Sequence, residues 1–534
     1  MPVKKPALVT TLVLLAWLLF LTLAIRVFGP DSEYVVFDSD GAIPILMANE
    51  DRPITIFDTY YWGVDRWGGW PLMIARKFHQ DTGFQWTDKR LHIVRATWLF
   101  CGLLVLVFLN RRAALAVLVS SLIPLCLEPT IRWQLFNLSQ VYAWQLTGLL
   151  LAWFSLRRLL AAEFVSATGK QVLVRGTLWC LCFYFSAFFA IWSSEVSVPL
   201  LGFLLLLEGL RSYFLSVSDA ANKWKRARYV MSLLLLAAAS LSALLLKINY
   251  HRHGRKHWGG DYKAPTWFDA GYLSQNLLAN WRNLAEFDFL PLLIISCAFF
   301  FGITLVLAYA RLRGKRVFRE RLRHFALDDT VTMVTALSSM ALINLAMMIC
   351  LSHVRLSSYN DRYLNPTFFF GSIAGLMTVY LMLRLSAGRI GVTRYAIPVA
   401  ILGAFVLLIA EFPRAKPSER YRLDKETALI LAQKAPGGFV MGGYWETYIF
   451  SALQPPENRM TPLPLEGLHV RIPWTPAMLR DAKDVVIECR LNEVMNRSPL
   501  PAELTQYGNI LKLKDPQFYQ NSRYSFALYT NEHK

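Results

Sequence analysis

Residues 229–247 read YVMSLLLLAAASLSALLLK, an apolar run that carries no charge before its final lysine. A helix needs about 20 mainly apolar residues to cross the ~30 Å hydrocarbon core of a bilayer. The run is therefore expected to span a membrane. Similar runs along the chain bring the expected number of spans to about eleven, the others being Ala7–Phe28, Ile93–Leu109, Ala113–Leu127, Val141–Leu156, Gly176–Ile191, Val198–Tyr213, Leu290–Ala310, Val331–Leu351, Pro366–Leu383 and Tyr395–Ala410.

The composition of the 534-residue chain excludes an ordinary soluble enzyme. Hydrophobic residues make up 55% of the chain and charged residues only 17%, against roughly 45–50% and 25% in soluble domains. All cysteines except Cys489 lie in apolar runs, where cysteine behaves as a small hydrophobic residue. The cysteine spacing indicates neither a metal site nor a disulfide framework.

The basic residues predict the orientation of the spans. The formal net charge is +19, but lysine and arginine are concentrated in alternate short loops, which is the pattern of the positive-inside rule. This distribution explains the charge, so nucleic acid is not an expected partner. Lys4 and Lys5 precede the first span and place the N-terminus inside. Eleven spans then place the C-terminal segment outside, together with residues 29–92 and 248–289.

A change of pattern near residue 410 predicts two domains. Residues 1–410 are expected to form an all-α transmembrane domain. In residues 411–534 the charge is nearly balanced, and short β-like runs such as Gly438–Gly443 and Asp484–Cys489 alternate with turns. This second segment is expected to be a small soluble α/β domain on the outer side.

Two carboxylates follow the first span. Asp38 and Asp40 stand one residue apart, immediately before an apolar stretch that ends at Glu50. A carboxylate at such a place can act as a general base, or it can bind a cation that neutralises a phosphate. Aspartates also cap helices and solvate loops. The residues alone leave these alternatives open.

Glycines and tryptophans are interleaved with charges farther along the same outer segment. The stretch Tyr61–Leu72 reads YWGVDRWGGWPL. Closely spaced glycines favour a tight turn, which would bring Asp65 and Arg66 close to a bound group. The alternative is an aromatic belt at the membrane interface, to which Trp62 would belong.

Charged residues also occur in later outer segments. Arg355 and Arg362 lie between the ninth and tenth predicted spans, and arginine is suited to bidentate binding of phosphate. Glu195 lies in a very short turn between the fifth and sixth spans. It is either a polar group that faces a cavity or a solvated charge at a hairpin tip.

These parts, in this order, resemble the GT-C superfamily of polyprenyl-phosphate-sugar-dependent glycosyltransferases, of the bacterial protein mannosyltransferase and aminoarabinose transferase group. Asp40 and the helical run after it resemble the acidic motif of the family's first outer loop. The family often has a second acid directly after that aspartate, where this chain has Gly41. Arg362–Pro366 is similar to the Arg-Tyr-Leu-x-Pro element that begins a late span.

Three further stretches carry the resemblance. Tyr61–Leu72 is similar to an aromatic-glycine-polar segment of bacterial members, and Ile191–Glu195 resembles their Trp-Ser/Thr turn before a span. Gly442–Tyr448 is similar to the first turn of the terminal soluble domain. The resemblance covers nearly the whole architecture.

The resemblance implies transfer of one sugar from a polyprenyl-phosphate carrier to an acceptor hydroxyl, with a hexosyl- or pentosyl-type donor. It implies catalytic roles for Asp40 and Asp38. Binding of the donor phosphate is assigned to Arg362, Arg355, Arg66 and Tyr363, and binding of the acceptor or sugar to Asp65, Tyr61, Trp62 and Glu195. The motif is compatible with a divalent metal ion and implies no other cofactor.

The resemblance also implies a setting. The protein is expected in a bacterial inner membrane, with a cytoplasmic N-terminus and a periplasmic C-terminal domain. Its partners would be membrane lipid, the lipid-linked donor and a glycan, lipid or protein acceptor. The alternatives are a transporter or flippase for lipid-linked glycans, whose folds usually have repeated halves, and a glycan polymerase, whose long loop would be expected among later spans.

Overall fold

A computed structural model of the protein describes most of the helical bundle and of the C-terminal region. The described residues are 20, 39–49, 84–127, 135–136, 140–161, 169–214, 219–249, 273–285, 294, 296–298, 302, 328–351, 361–386, 419–468, 470, 472, 474–489 and 500–531.

The first part of the chain is helical. Its described helices are α1 Ser39–Ala48, α2 Phe84–Leu109, α3 Ala114–Leu127, α4 Tyr142–Leu160, α5 Gly169–Ser193, α6 Ser197–Phe214, α7 Asp219–Asn249, α8 Leu273–Ala285, α9 Asp329–Cys350 and α10 Asn365–Ser386.

Five segments of these helices are long and apolar enough to cross a membrane: Arg90–Leu109, Val174–Ser193, Arg226–Asn249, Asp329–Cys350 and Asn365–Arg384. Each coincides with a predicted span, and α3, α4 and α6 occupy three more of the predicted positions. The helix α2 begins inside the segment 29–92, which was expected to be an outer loop. Most of Ala7–Phe28 and Leu290–Ala310 and all of Tyr395–Ala410 lie outside the described residues, so the count of eleven stays a prediction.

An ionic network ties the helices together at one end of the bundle. Asp329 at the start of α9 accepts hydrogen bonds from Arg157 of α4 at 2.6 Å and from Arg211 of α6 at 2.7 Å. The buried Glu208 lies 3.3 Å from the Arg157 Nε and accepts a hydrogen bond from the indole of Trp153 at 2.8 Å. The basic C-terminal ends of α4 and α6 therefore meet at one end of the bundle.

Small residues let α4 pack closely against its neighbours. A Cβ atom added to Gly148 would lie 3.0 Å from Ala190 of α5, and one added to Gly102 of α2 would lie 2.9 Å from the hydroxyl of Thr147. Close backbone approach at glycine is common between membrane helices, because lipid supplies no hydrophobic driving force for their association. The helix α4 is therefore held at the centre of the bundle.

The C-terminal part is a mixed sheet with helices. Its elements are α11 Glu419–Lys434, β1 Phe439–Gly442, α12 Tyr444–Leu453, β2 Thr461–Pro464, α13 Thr475–Met478, β3 Asp484–Glu488, β4 Glu503–Gln506, β5 Asn509–Gln520 and β6 Ser525–Asn531. The strand order is β2-β1-β3-β6-β5-β4. The pairs β2–β1 and β1–β3 are parallel, whereas β3–β6, β6–β5 and β5–β4 are antiparallel. The predicted β-like runs are thus β1 and β3, and the α/β character is confirmed.

The two faces of the sheet belong to different cores. Val440, Val486 and Phe526 share a core with residues of α11 and α12. Their strand neighbours, such as Met441 and Ile487, point into a second core on the opposite face. This alternation follows from the period of two in a β-strand, and it directs the first face toward the helical bundle.

Candidate functional site

The first component of the candidate site is the helix α1, which is buried on every side. Ala42, Ile43 and Ile45 have no exposed surface, and Asn49 at its end is only 9% exposed. The helix packs against α12 of the C-terminal part and against α2 of the bundle. A helix that is apolar all round is stable only when it is surrounded by protein or lipid.

Asp40 lies in the first turn of α1. The structure places the backbone of Ser39 and Asp40, and their side chains lie outside its described part. Pro44 stands one helical turn later, and because proline has no N–H, it cannot donate a hydrogen bond to the carbonyl of Asp40. The acidic motif is therefore held by burial of the residues that follow it.

Two tryptophans of the bundle end belong to the same core as α1. Trp144, near the start of α4, and Trp192, near the end of α5, share this core with residues of α1 and α12. We call this region, formed by α1, Trp144, Trp192 and α12, the junction. The ring of Trp192 lies 5.1 Å from that of Phe188. Three stretches that carried the family resemblance, far apart in sequence, thus meet at the junction.

The beginning of α12 differs from the sequence expectation. Gly442–Tyr448 was expected to be the first turn of the terminal domain, but α11 and β1 precede it. The motif joins β1 to α12, and a Cβ atom at Gly442 would lie 2.9 Å from the Cβ of Glu488. The glycine is required because β1 and β3 pack side by side there.

Sequence reasoning missed Arg95, a buried cation of α2. Its side chain is 1% exposed, its Nε donates to the carbonyl of Leu135 at 2.8 Å, and its Cζ lies 5.6 Å from the ring centroid of Trp144. His92, one turn earlier, is 5% exposed. The signal was present in the sequence, because an ionisable residue inside an apolar span is costly and marks a function.

Glu195 forms an ion pair with Lys247 at the end of α7. The carboxylate is 37% exposed and the ammonium 26%. Glu195 lies three residues beyond Trp192, and Leu246, the neighbour of Lys247, packs against the core of the junction. Glu195 therefore lies at the edge of the junction, where its carboxylate is partly open to solvent.

The basic motif of the late span lies at the start of α10. Residues Asp361–Leu364 form a single 3-10 turn that leads directly into α10. Tyr363 packs against the core of the bundle, and its carbonyl accepts a hydrogen bond from the amide of Asn344 at 3.2 Å. The structure places the backbone of Arg362, and its side chain lies outside the described part.

The remaining predicted site residues, Asp38, Tyr61, Trp62, Asp65, Arg66 and Arg355, lie outside the described residues. Within the part of the chain that the structure describes, no three His, Cys, Asp or Glu side chains are grouped so that they could hold a metal ion.

No protein-family model and no curated protein sequence matches the chain. Among solved structures, ArnT from Cupriavidus metallidurans, bound to undecaprenyl phosphate, is similar with a TM-score of 0.49 and 12% identity, over 99% of this chain and 98% of that chain. The apo oligosaccharyltransferase of Archaeoglobus fulgidus is similar with a TM-score of 0.47 and 10% identity, over 89% and 69%.

The oligosaccharyltransferase AglB from Archaeoglobus fulgidus, in complex with an inhibitory peptide and a dolichol-phosphate, has a TM-score of 0.42 and 10% identity, over 90% of this chain and 70% of that chain.

Proposed function

We propose that the protein is a membrane glycosyltransferase that moves a single sugar from a polyprenyl-phosphate carrier to an acceptor hydroxyl. The donor is a hexosyl or pentosyl carrier, and the acceptor is a cell-surface glycan, a lipid or a protein. The reaction takes place on the periplasmic face of a bacterial inner membrane. Residues 1–410 form the transmembrane catalytic domain, and residues 411–534 form a periplasmic domain.

One observation supports this function above all: the helix of the acidic motif is enclosed between the bundle and the C-terminal part. Its side chains are buried against α12 and share a core with Trp144 and Trp192. A catalytic carboxylate must be held in place relative to its substrate. Burial of α1 on every side provides this rigidity, because a buried helix cannot shift without opening a packed core.

In the proposed reaction, Asp40 accepts the proton of the acceptor hydroxyl. The acceptor oxygen attacks the anomeric carbon, and the bond from that carbon to the phosphate oxygen breaks, so the phosphate leaves with the electron pair and the configuration inverts. Asp38 assists by positioning the acceptor. The leaving phosphate is stabilised by a cationic and hydroxyl set, which consists of Arg362, Arg355, Arg66 and Tyr363.

The acceptor and the sugar are bound by polar and aromatic side chains. Aromatic rings stack on sugar faces, and carboxylates accept hydrogen bonds from hydroxyls. This role falls to Asp65, Tyr61, Trp62 and Glu195. Glu195 suits it because its carboxylate is partly exposed at the edge of the junction.

The test is mass spectrometry of surface glycans and of the polyprenyl-phosphate-sugar pool in a deletion strain. The strain is complemented with the wild type, with Asp40→Asn, or with Asp481→Asn, which changes an exposed aspartate of the C-terminal part in the same way. Wild type and Asp481→Asn should restore one sugar of the glycan. Asp40→Asn should leave that sugar absent and the donor accumulated, since a general base contributes about 10²–10⁴-fold.

Two results would contradict the proposal. If whole lipid-linked glycans accumulated on the cytoplasmic side, the protein would be a transporter or flippase. If Asp40→Asn complemented fully while the deletion lacked the sugar, the protein would remain a transferase but the catalytic carboxylate would be a different one.

A further inference from the structure

The helix α1 is too short to hold its position by itself. It has 10 residues and contains Pro44, whereas an isolated helix of fewer than about 12–15 residues is marginal in water. Its place is therefore set by the elements that surround it. Among the described elements these are α2 of the bundle and α12 of the C-terminal part, and the contact with α12 is the larger of the two.

One side of α12 is occupied by the sheet of the C-terminal part. The ring of Phe450 lies 5.0 Å from that of Tyr524 and 5.5 Å from that of Phe526 in β6. The hydroxyl of Ser451 donates to the carbonyl of Met460, which directly precedes β2, at 2.8 Å. Phe450 and Ser451 therefore point toward the sheet.

The opposite side of α12 carries Ile449 and Ala452. Successive residues of an α-helix are rotated by about 100°, so each of these two side chains points about 150° away from the direction midway between Phe450 and Ser451. Ile449 is 2% exposed and Ala452 has no exposed surface. The side of α12 that is turned away from the sheet is therefore also covered by protein.

The helix α1 covers this second side. The other helix that packs on α12 is α11, and its Asp424 accepts a hydrogen bond from Tyr524, whose ring contacts Phe450. The helix α11 therefore approaches α12 from the side of Phe450. Ile449 and Ala452 belong to the same core as the residues of α1, so α1 lies against them.

We infer that Ile449 and Ala452 are positioning residues for Asp40, which lies in the first turn of α1. They fix α1 against the C-terminal part, so residues from the other end of the sequence complete the catalytic geometry. This inference rests on the proposed function. A cavity beside α1 would let it shift, because the surroundings of a truncated side chain relax in part, and a displacement of about 1 Å can lower a rate about 10²-fold.

Kinetics of the purified full-length protein in nanodiscs test this role. The donor probe is the lipid-linked sugar that accumulates in the deletion strain, and the acceptor probe is the molecule from that strain that lacks the sugar. Ile449→Ala should lower kcat about tenfold or more and leave the KM values for donor and acceptor near those of the wild type. A loss of folded protein alone would not separate kcat from the rate of a correctly folded control.

Ile487→Ala is that matched control. Ile487 is as deeply buried as Ile449, but it belongs to the core on the opposite face of the sheet, which contains no residue of α1. The same truncation should lower the melting temperature by a similar amount in both variants. Only Ile449→Ala should lower kcat.

Hydrogen exchange provides a second measurement, which does not depend on activity. The backbone N–H groups of α1 should exchange about tenfold faster in Ile449→Ala than in the wild type, because exchange reports local opening. They should keep their wild-type rate in Ile487→Ala. If Ile449→Ala does not fold, Ala452→Leu replaces it, since overfilling the same space also displaces α1, and Ala527→Leu in the second core is then the control.

The outcomes separate the positioning role from the function. If the wild type transfers the sugar and Ile449→Ala keeps the wild-type kcat, the positioning role is wrong and the function stands, whatever the exchange rate. A decrease in kcat without faster exchange of α1, or an equal decrease in Ile487→Ala, also overturns the role. If the wild type transfers no sugar, the proposed function is wrong, and the positioning role falls with it.

Discussion

The guanidinium of Arg95 lies over the indole ring of Trp144, with 5.6 Å between its Cζ atom and the ring centroid. The same side chain donates from Nε to the carbonyl of Leu135 at 2.8 Å and is almost fully buried. One cation thus joins α2, α4 and the residues just before α4 at the end of the bundle where α1 packs.

Arg95→Lys should therefore destabilise the protein although it keeps the charge. Lysine lacks the planar group that stacks on an indole while it donates in a fixed direction, so the Leu135 carbonyl would lose its partner, at a cost of about 1–3 kcal/mol. Thermal melting in detergent measures the effect. Arg111→Lys is the control, because Arg111 lies 5.8 Å from the ring of Phe108 at an exposed position. Equal melting temperatures for both variants would contradict the role of Arg95.

The ion pair between Glu195 and Lys247 allows the proposed acceptor role to be tested separately from stability. A partly exposed pair contributes about 0–1 kcal/mol, so neither Glu195→Gln nor Lys247→Met should change the melting temperature much. Glu195→Gln should raise the KM for the acceptor several-fold, whereas Lys247→Met should leave it near the wild-type value. Steady-state kinetics with varied acceptor measures both. An equal increase in the KM for the acceptor in both variants would show that the ion pair is structural and that Glu195 does not bind the acceptor.

Glu208 should be essential to the stability of the opposite end of the bundle. It is 3% exposed and lies between Arg157 and Arg211. Glu208→Gln would remove the charge that compensates these two partly buried guanidinium groups, and loss of one partner of a buried pair costs up to about 3–5 kcal/mol. Thermal unfolding should show a large decrease, with no change in substrate KM for the folded protein.

The control for Glu208 is an acid at the same end of the bundle. Asp328 caps α9 through bonds to the backbone N–H groups of Thr330 and Val331. Asparagine caps helices about as well as aspartate, so Asp328→Asn should be nearly neutral. A Glu208 variant as stable as Asp328→Asn would refute the importance of the network.

The stability of the C-terminal part should depend on pH through Asp424. Burial raises the pKa of this carboxyl above its usual value, against the opposing effects of a 2.5 Å hydrogen bond from Tyr524 and of Arg420. Because the folded pKa exceeds the unfolded one, folding favours the protonated form. The stabilisation is complete below the unfolded pKa, near 4, and is lost as the pH rises through the folded pKa.

Asp424→Asn should remove this dependence, since the amide oxygen still accepts from Tyr524 and carries no charge. The melting temperature of the variant minus that of the wild type should increase from pH 4 to pH 7. Melting curves of the full-length protein over this range provide the measurement. A difference that stays constant with pH would mean that Asp424 does not titrate on folding.

Five of the predicted spans, and the change to a mixed α/β part, were readable from the sequence because they depend on local patterns. An apolar run such as Tyr229–Lys247 has a low free energy in the hydrocarbon core of a bilayer. The strands β1 and β3 correspond to short β-like runs in the sequence. The number of spans and the placement of Asp38 and of residues 61–66 remain predictions, since these residues lie outside the described part of the chain.

The candidate site was only partly readable. Asp40 was singled out from its position after a span, and Trp192 from its motif, but nothing in the sequence indicated that both belong to one junction. Arg95 was overlooked because it lies within a run that was considered only as a span.

The sequence by itself determined which segments are apolar enough to enter a membrane, and it predicts which loops lie inside, because transfer of apolar and charged groups depends on residue type and spacing alone. Only the tertiary structure decided that α1 packs against α12 and that Arg157 and Arg211 share Asp329. These relationships join residues far apart in the chain. They are set by the packing of side-chain shapes and by the need of each buried polar group for a partner, neither of which a local pattern contains.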